Sequence, residues 1–203
     1  LEEPKEKILI SAVQVFMKIG VKSVTMDDIS RELGISKKTL YQFVEDKNDL
    51  LKQCFALSLN KNCIEIQQLN SIDNPIDEVL EIMKHMIIAM KKINPIAMYE
   101  IRKYYPESWN LFESFKNEYI FNSVKNNFEK GIKKGIYRKK IDVEVIAKIY
   151  VEVISLLISE QIFPSYEFAF PRVHSQFIEY HLRGICTNKG LEYLEIKLKE
   201  LSL

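Results

Sequence analysis

The chain has 203 residues, of which 47% are hydrophobic and 28% charged. That is globular composition, enough for a good core and for one or two domains, while six Gly and six Pro leave little room for linkers or low-complexity tracts. A net charge of +1 excludes a polycation, so affinity for nucleic acid must come from where charges are placed, not from bulk attraction.

In chain order, the hydrophobic period is helical almost throughout. Leu1 to Lys7 is charged rather than apolar, which argues against a signal peptide, and the lack of an initiator Met points to a trimmed or incomplete N-terminus. Ile8, Leu9, Ala12, Phe16 and Ile19 then share one face and predict a helix over 5–19, ended by Gly20. Thr25 can cap a second helix, with Asp28 three residues on. Ile29 and Leu33 give that helix an apolar face, and Gly34 suits the left-handed conformation that ends it. Ile35 drops into the core and Ser36 caps a third helix, which buries Leu40 and Phe43 and leaves Lys37, Lys38, Thr39, Tyr41 and Gln42 outside.

A long fourth helix starts at Lys47 or Asn48 and reaches Leu69. Asp73-Asn74-Pro75 is a break, with Pro75 suited to a first helical position. A fifth helix over 76–93 carries Met83, Met86 and Met90. Asn94-Pro95 opens a sixth ending near Tyr104, and Tyr105-Pro106 opens a seventh running to about Lys134. After a loop over 135–141, Asp142 caps an eighth helix that reaches Ile162, and Pro171 opens a ninth ending near Cys186. Leu191, Leu194, Leu198 and Leu201 cover less than two heptads and predict a docked C-terminal helix rather than a coiled coil. No useful strand alternation appears. The fold class is all-α, with a three-helix helix-turn-helix domain over 1–47 and a second helical domain over 48–203.

The third helix carries the functional signal. A short helix with a polar, cationic, aromatic outer face can enter the major groove of DNA. Glu45 and Asp46 directly after it, and the near-neutral charge, pull the other way. The eighth helix carries a second signal. Glu144, Lys148, Glu152, Ser155 and Ser159 form one narrow polar stripe, and the rest is apolar. So wide an apolar surface must be covered on more than one side. Burial within one chain and packing on a second copy both satisfy this, and the architecture favours the copy. The candidate interface is Val153, Leu157, Phe177, His181 and Leu182.

Taken together and in order, Ile8-Leu9-x-x-Ala12-x-x-x-Phe16, Gly20-x-x-Ser23-Val24-Thr25, Ile29-x-x-x-Leu33-Gly34-Ile35-Ser36, Thr39-Leu40-Tyr41-x-Phe43 and Lys47-x-x-Leu50-Leu51 resemble the TetR/AcrR family of bacterial transcriptional regulators. The resemblance covers the first fifty residues. It implies a homodimer with two recognition helices in successive major grooves, a palindromic operator, and a small molecule that releases the protein from DNA, with 48–203 as ligand-binding and dimerisation domain. Carried over by position, Thr25 faces phosphate, Lys37, Lys38 and Gln42 read bases, Thr39 and Tyr41 hold the backbone, and Lys47 grips phosphate. Ser36, as the cap of the recognition helix, belongs to the same DNA-binding set. Lys38 stands where some members have a small residue or Pro. Repression is the family default.

Residues 99–121 hold eight aromatics, about three times the density expected from the chain's 11%, and ligand pockets are mostly apolar and aromatic. The family's cavity lies among helices four to eight, so the expected lining is Met83, Met86, Met90, Tyr99, Trp109, Phe112, Phe115 and Tyr119, with Glu100, Arg102 and Glu118 as polar anchors and a hydrophobic effector as ligand. His85, His174 and His181 make no metal motif, and no catalytic constellation, phosphate loop or cofactor signature occurs. The protein is therefore read as a regulator and not an enzyme, without metal or cofactor. Lys125 to Lys140 is read as a solvated helix end, with DNA contact as its rival. The apolar stretch over 143–163 is broken by Glu144, Lys148, Glu152 and Glu160, so no membrane helix fits. Three cysteines without a CxxC pair read as reduced thiols in the cytoplasm. An all-helical small-molecule-binding or protein-interaction module that no longer reads DNA is the alternative.

Overall fold

The computed structural model describes residues 4–201; Leu1 to Glu3, the start of the charged segment, and the last two residues lie outside it. The helices are α1 (Pro4–Ile19), α2 (Met26–Leu33), α3 (Lys37–Leu40), α4 (Lys47–Leu69), α5 (Pro75–Met90), α6 (Pro95–Tyr104), α7 (Pro106–Ser114), α8 (Phe121–Lys133), α9 (Val143–Leu157), α10 (Phe170–Ile185) and α11 (Asn188–Glu200), with a π-helical segment at Phe115–Ile120. No strand occurs among the described residues beyond a single bridge between Tyr137 and Cys186.

Side-chain caps set many of the starts. Thr25, Ser36, Asn74, Asn94, Asp142 and Thr187 each accept a backbone N–H of the following helix, satisfying donors that a helix end leaves open. Pro75, Pro95 and Pro106 occupy first helical positions, where a missing N–H costs nothing. α5 stops at Met90, short of the expected Ile93, because Asn94 must be extended (φ −80°, ψ 118°) to cap α6 ahead of Pro95. The expected run from Pro106 to Lys134 is divided by the π segment, which carries the buried Lys116. Period alone does not distinguish such an inserted turn from continuous α-helix.

The chain packs as two compact units, and the division is not at the expected 47/48 boundary. The first holds the described residues up to Cys63 together with Lys92–Phe115, and the second holds Ile64–Lys91 with everything from Lys116 on. In the first core, Ala97 and Ile101 of α6 are fully buried and join Phe16, Ile29, Leu40 and Leu50. Periodicity shows that α6 has an apolar face but not which helices cover it. Ile19, expected on the apolar face of α1, is 53% exposed.

The second core gathers Ile76, Leu80 and Met83 of α5, Phe128 of α8, Tyr137, Ala147 of α9, Ile178, Leu182 and Ile185 of α10, and Leu194 of α11. Several of the polar groups around it are paired. The Tyr137 hydroxyl donates to Asn127 Oδ1 (3.1 Å), and Asn127 Nδ2 donates to the Pro75 carbonyl (3.0 Å). Lys130 meets the buried Glu78 carboxylate at 2.5 Å and also holds the Asn70 and Ile72 carbonyls. Burial pushes the Glu78 carboxyl up while Lys130 pulls it back. Lys116 reaches Glu152 (3.2 Å) and Ser155 (3.0 Å), so two members of the polar stripe on α9 receive a buried cation. Gly131 lies flat against the Tyr137 ring, with no room for a Cβ.

Candidate nucleic-acid interface

α2 and α3 are placed by short-range chemistry. Gly34 takes φ 65°, and its N–H and that of Ile35 bond back to the Arg31 and Ser30 carbonyls, at 3.1 and 3.0 Å. This closes α2 and turns the chain into α3. Leu40 is fully buried and Phe43 half-buried against the first core, which anchors α3 from beneath. Only Lys37–Leu40 is α-helical, and the Gln42 and Phe43 N–H groups bond three residues back, so the last turn is tightened.

The opposite face carries the expected set. Lys37, Lys38, Tyr41 and Gln42 are exposed and Thr39 is half-exposed. Lys reads guanine edges, Gln reads adenine, and a Tyr hydroxyl suits phosphate. Ser36 Oγ accepts the Thr39 N–H (3.0 Å) and lies 2.8 Å from Thr39 Oγ1, so these two hydroxyls face each other.

The remaining expected contacts are engaged within the chain. Thr25 donates both its N–H (2.9 Å) and its hydroxyl (2.6 Å) to Asp28 Oδ2, and its Oγ1 accepts the Asp28 N–H (3.2 Å). These bonds hold the Asp28 carboxyl below its ordinary range. Asp27 and Asp28 leave the start of α2 negative, where a bare helix N-terminus favours phosphate. Lys37 pairs with Asp27 at 2.6 Å, and this hydrogen bond raises the Lys37 pKa. Lys47 donates to the Lys22 carbonyl (3.2 Å), and burial lowers its pKa. Neither Asp27 nor the Lys22 carbonyl is a sequence neighbour of its partner, so no local pattern shows these pairs.

Residues 8–54, spanning α1, α2, α3 and the start of α4, match the family model described as bacterial regulatory proteins, tetR family. Over these residues the chain is similar to the tetR family. That family comprises DNA-binding regulators, not enzymes. The HTH-type transcriptional regulator YvaF of Bacillus subtilis (strain 168) is 28% identical over 119 residues, 56% of this chain and 60% of the relative. A TetR transcription regulator from Haloarcula marismortui superposes with TM-score 0.78 at 16% identity, over 90% of this chain and 98% of that one. SmeT, the repressor of the Stenotrophomonas maltophilia multidrug efflux pump SmeDEF, superposes with TM-score 0.71 at 14% identity, over 92% of each chain, and has also been solved with triclosan. At such identities the superpositions show a shared all-α fold.

The other expected sites are less simply placed. Met83, Met86, Met90 and Tyr119 fall in the second unit, whereas Tyr99, Trp109, Phe112 and Phe115 fall in the first. Met83 is core, Tyr99 is 45% exposed, and Trp109 packs tilted against Phe112 at 5.0 Å between centroids. Arg102 lies over the Trp109 ring, and Glu100 is engaged by backbone amides, so neither stands free as a ligand anchor. A cleft of about 530 Å³ opens elsewhere in the second unit, lined by Asp73, Asn74, Lys134, Ile136, Lys189, Glu192, Tyr193 and Ile196; it includes none of the expected lining residues.

Of the expected dimer set, Leu182 is fully buried in its own chain and Leu157 nearly so. A side chain already covered by its own core has no surface left for a partner. Phe177 and His181 pack with Tyr150 in an aromatic cluster, at 5.3 Å (Tyr150–Phe177) and 4.9 Å (Tyr150–His181), and Val153 is half-buried. The apolar surface left open on α9 is Val145, Ile149 and Leu156, about half exposed each, with Tyr180 on α10. Of the basic run, Lys130 and Lys134 pair with Glu78 and Asp73, and Arg138 holds the Gly184 carbonyl. No described helix is long and apolar enough to cross a membrane.

Proposed function

We propose that the protein is a homodimeric, ligand-responsive transcriptional regulator working in the cytoplasm. It binds a palindromic operator through α3 as a repressor and is released by a small hydrophobic effector. The observation that carries this is α3 itself. Leu40 fixes one face in the core, while Lys37, Lys38, Tyr41 and Gln42 stand outward behind a doubly bonded cap at Thr25. Ser36 and Thr39 set the start of that helix, and Lys47 joins the contact by exchanging the Lys22 carbonyl for phosphate. The division into a DNA-reading part over 1–47 and a ligand-binding and dimerisation part over 48–203 is a division of labour, not of packing.

Two copies sharing the α9 and α10 face, through Val145, Ile149, Val153, Leu156 and Tyr180, present two α3 helices to half-sites about 34–36 Å apart or at other spacings set by the dimer. The triclosan complex of SmeT supports a hydrophobic effector. A coupling of about 1–3 kcal/mol between effector and operator gives roughly 5- to 150-fold loss of DNA affinity, enough to switch a promoter.

The test is selection of bound sequences from a random DNA pool at near-physiological salt. A palindromic consensus is expected. The acids Asp27, Asp28, Glu45 and Asp46 around α3 favour one rival, a helical binding module that does not read DNA. No enrichment by folded, dimeric protein establishes that rival. Salt separates the two as well, since operator affinity falls steeply with ionic strength and apolar ligand binding does not.

A further inference from the structure

The turn between α1 and α2 is held from both sides. Glu100, on α6, accepts the Val21 N–H at 2.7 Å and the Lys22 N–H at 2.8 Å, both on Oε2. Two consecutive amides converging on one anion form a backbone nest, a concavity that proteins use to bind negative groups; here a side chain of the same chain fills it. Gly20 makes the approach possible: its φ is +97°, and a Cβ there would sit 3.2 Å from Oε2. The carbonyl of Lys22 is held in turn by Lys47 of α4 (3.2 Å). One helical turn earlier, Asn94 Nδ2, at the start of α6, donates to the Met17 carbonyl of α1 (3.2 Å).

Only Ser23 and Val24 separate this anchored residue from Thr25, the cap of α2, and Val24 is itself buried. α2 is joined to α3 through the hydrogen-bonded turn at Gly34. The entry to the base-reading helix is therefore located by α6, an element 79 residues away in sequence from Val21.

We propose that Glu100 is a positioning residue for operator recognition: by holding the Val21 and Lys22 amides it fixes the orientation in which α2 and α3 are presented to DNA. This rests on the reading of α3 as the DNA-contacting helix. It assigns to Glu100 a role inside the DNA-binding unit, in place of the effector contact that its aromatic neighbourhood suggests.

Two conservative variants separate reach from charge. Glu100→Gln keeps an acceptor oxygen at the same distance, and Glu100→Asp keeps the charge but withdraws the carboxylate by one methylene. Each is compared with the wild-type chain on the selected operator duplex and on duplexes whose half-sites are moved apart or together by one base pair. Hydrogen exchange of the Val21 and Lys22 amides is followed in parallel. Glu100→Gln is expected to bind and discriminate as wild type. Glu100→Asp is expected to lose protection at both amides, weaken operator binding roughly 5- to 150-fold, and lose discrimination between spacings. Wild-type affinity and spacing preference in Glu100→Asp, with the amides deprotected, overturns the proposal and leaves operator binding intact; a lower melting temperature alone then marks a structural contact. Impairment confined to Glu100→Gln also overturns it, since charge rather than reach would be the cause. A wild-type protein that selects no sequence defeats the DNA-binding reading itself, and this inference with it.

Discussion

Substituting Gly131 with Ala sets two effects against each other. On helix propensity alone, Ala in the interior of α8 stabilises by about 1 kcal/mol. The Cβ, however, would lie 2.0 Å from Cδ2 of Tyr137, and ordinary contact begins at 3.4 Å. The ring cannot slide away freely, because Tyr137 is fully buried and its edge meets Phe128 at 6.2 Å between centroids. Overpacking of this kind costs about 1–3 kcal/mol. Moving the ring also breaks the bond from its hydroxyl to Asn127, leaving buried polar groups unpaired at a further cost of about 1–3 kcal/mol. The net expectation is a loss of about 1–5 kcal/mol. In a chain of this length each kcal/mol moves the melting temperature by about 2–4 °C, so Gly131→Ala should melt from a few degrees to about 20 °C lower. Thermal melting followed by circular dichroism reads this directly. Tyr137→Phe in the same background is the control: once the hydroxyl is gone its bond cannot be lost twice, so the two changes should be less than additive. A Gly131→Ala protein that melts at or above wild type refutes the reasoning, because propensity would then outweigh a contact that the ring's position forbids.

Burial depresses His174 from 6.5 to about 4, and its Nδ1 has no hydrogen-bond partner. The unfolded chain takes up a proton below 6.5 and the folded one only near 4, so this contribution to stability is complete above pH 6.5 and is lost as pH falls towards 4; it amounts to about 3 kcal/mol. Burial depresses His181 to about 4 as well, so His174→Phe should reduce the slope of that part of the pH–stability curve without abolishing it, and an unchanged slope between pH 6.5 and 4 contradicts the assignment. Tyr41→Phe should weaken operator binding by about tenfold or less with preference unchanged, and Lys37→Ala should relax preference at one base pair; binding to a panel of single-base operator variants checks both. A changed base preference in Tyr41→Phe defeats its assignment to the phosphate backbone. Ile149→Arg, at a 54% exposed position on α9, should turn a dimer into a monomer at micromolar concentration in sedimentation. A variant that stays dimeric places the interface elsewhere.

The helix-turn-helix segment was legible in the sequence because its signals are local. The Thr25 cap, the Gly34 turn and the spacing of Leu40 from the outward Lys37, Lys38, Tyr41 and Gln42 all act within a few residues, where backbone geometry and hydrogen bonding decide the outcome. The helix starts at Pro75, Pro95, Pro106 and Asp142 follow from the same kind of signal. Tertiary structure decided what depends on partners distant in the chain. It put α6 into the first core, turned Glu100 from an expected ligand anchor into the holder of the α1–α2 turn, and engaged Lys37 with Asp27 and Lys47 with the Lys22 carbonyl. It also closed Leu182 inside its own chain and divided the aromatic run at Phe115. An apolar or charged side chain announces its need for a partner through its chemistry. Which partner answers is fixed only when helices far apart in sequence pack together.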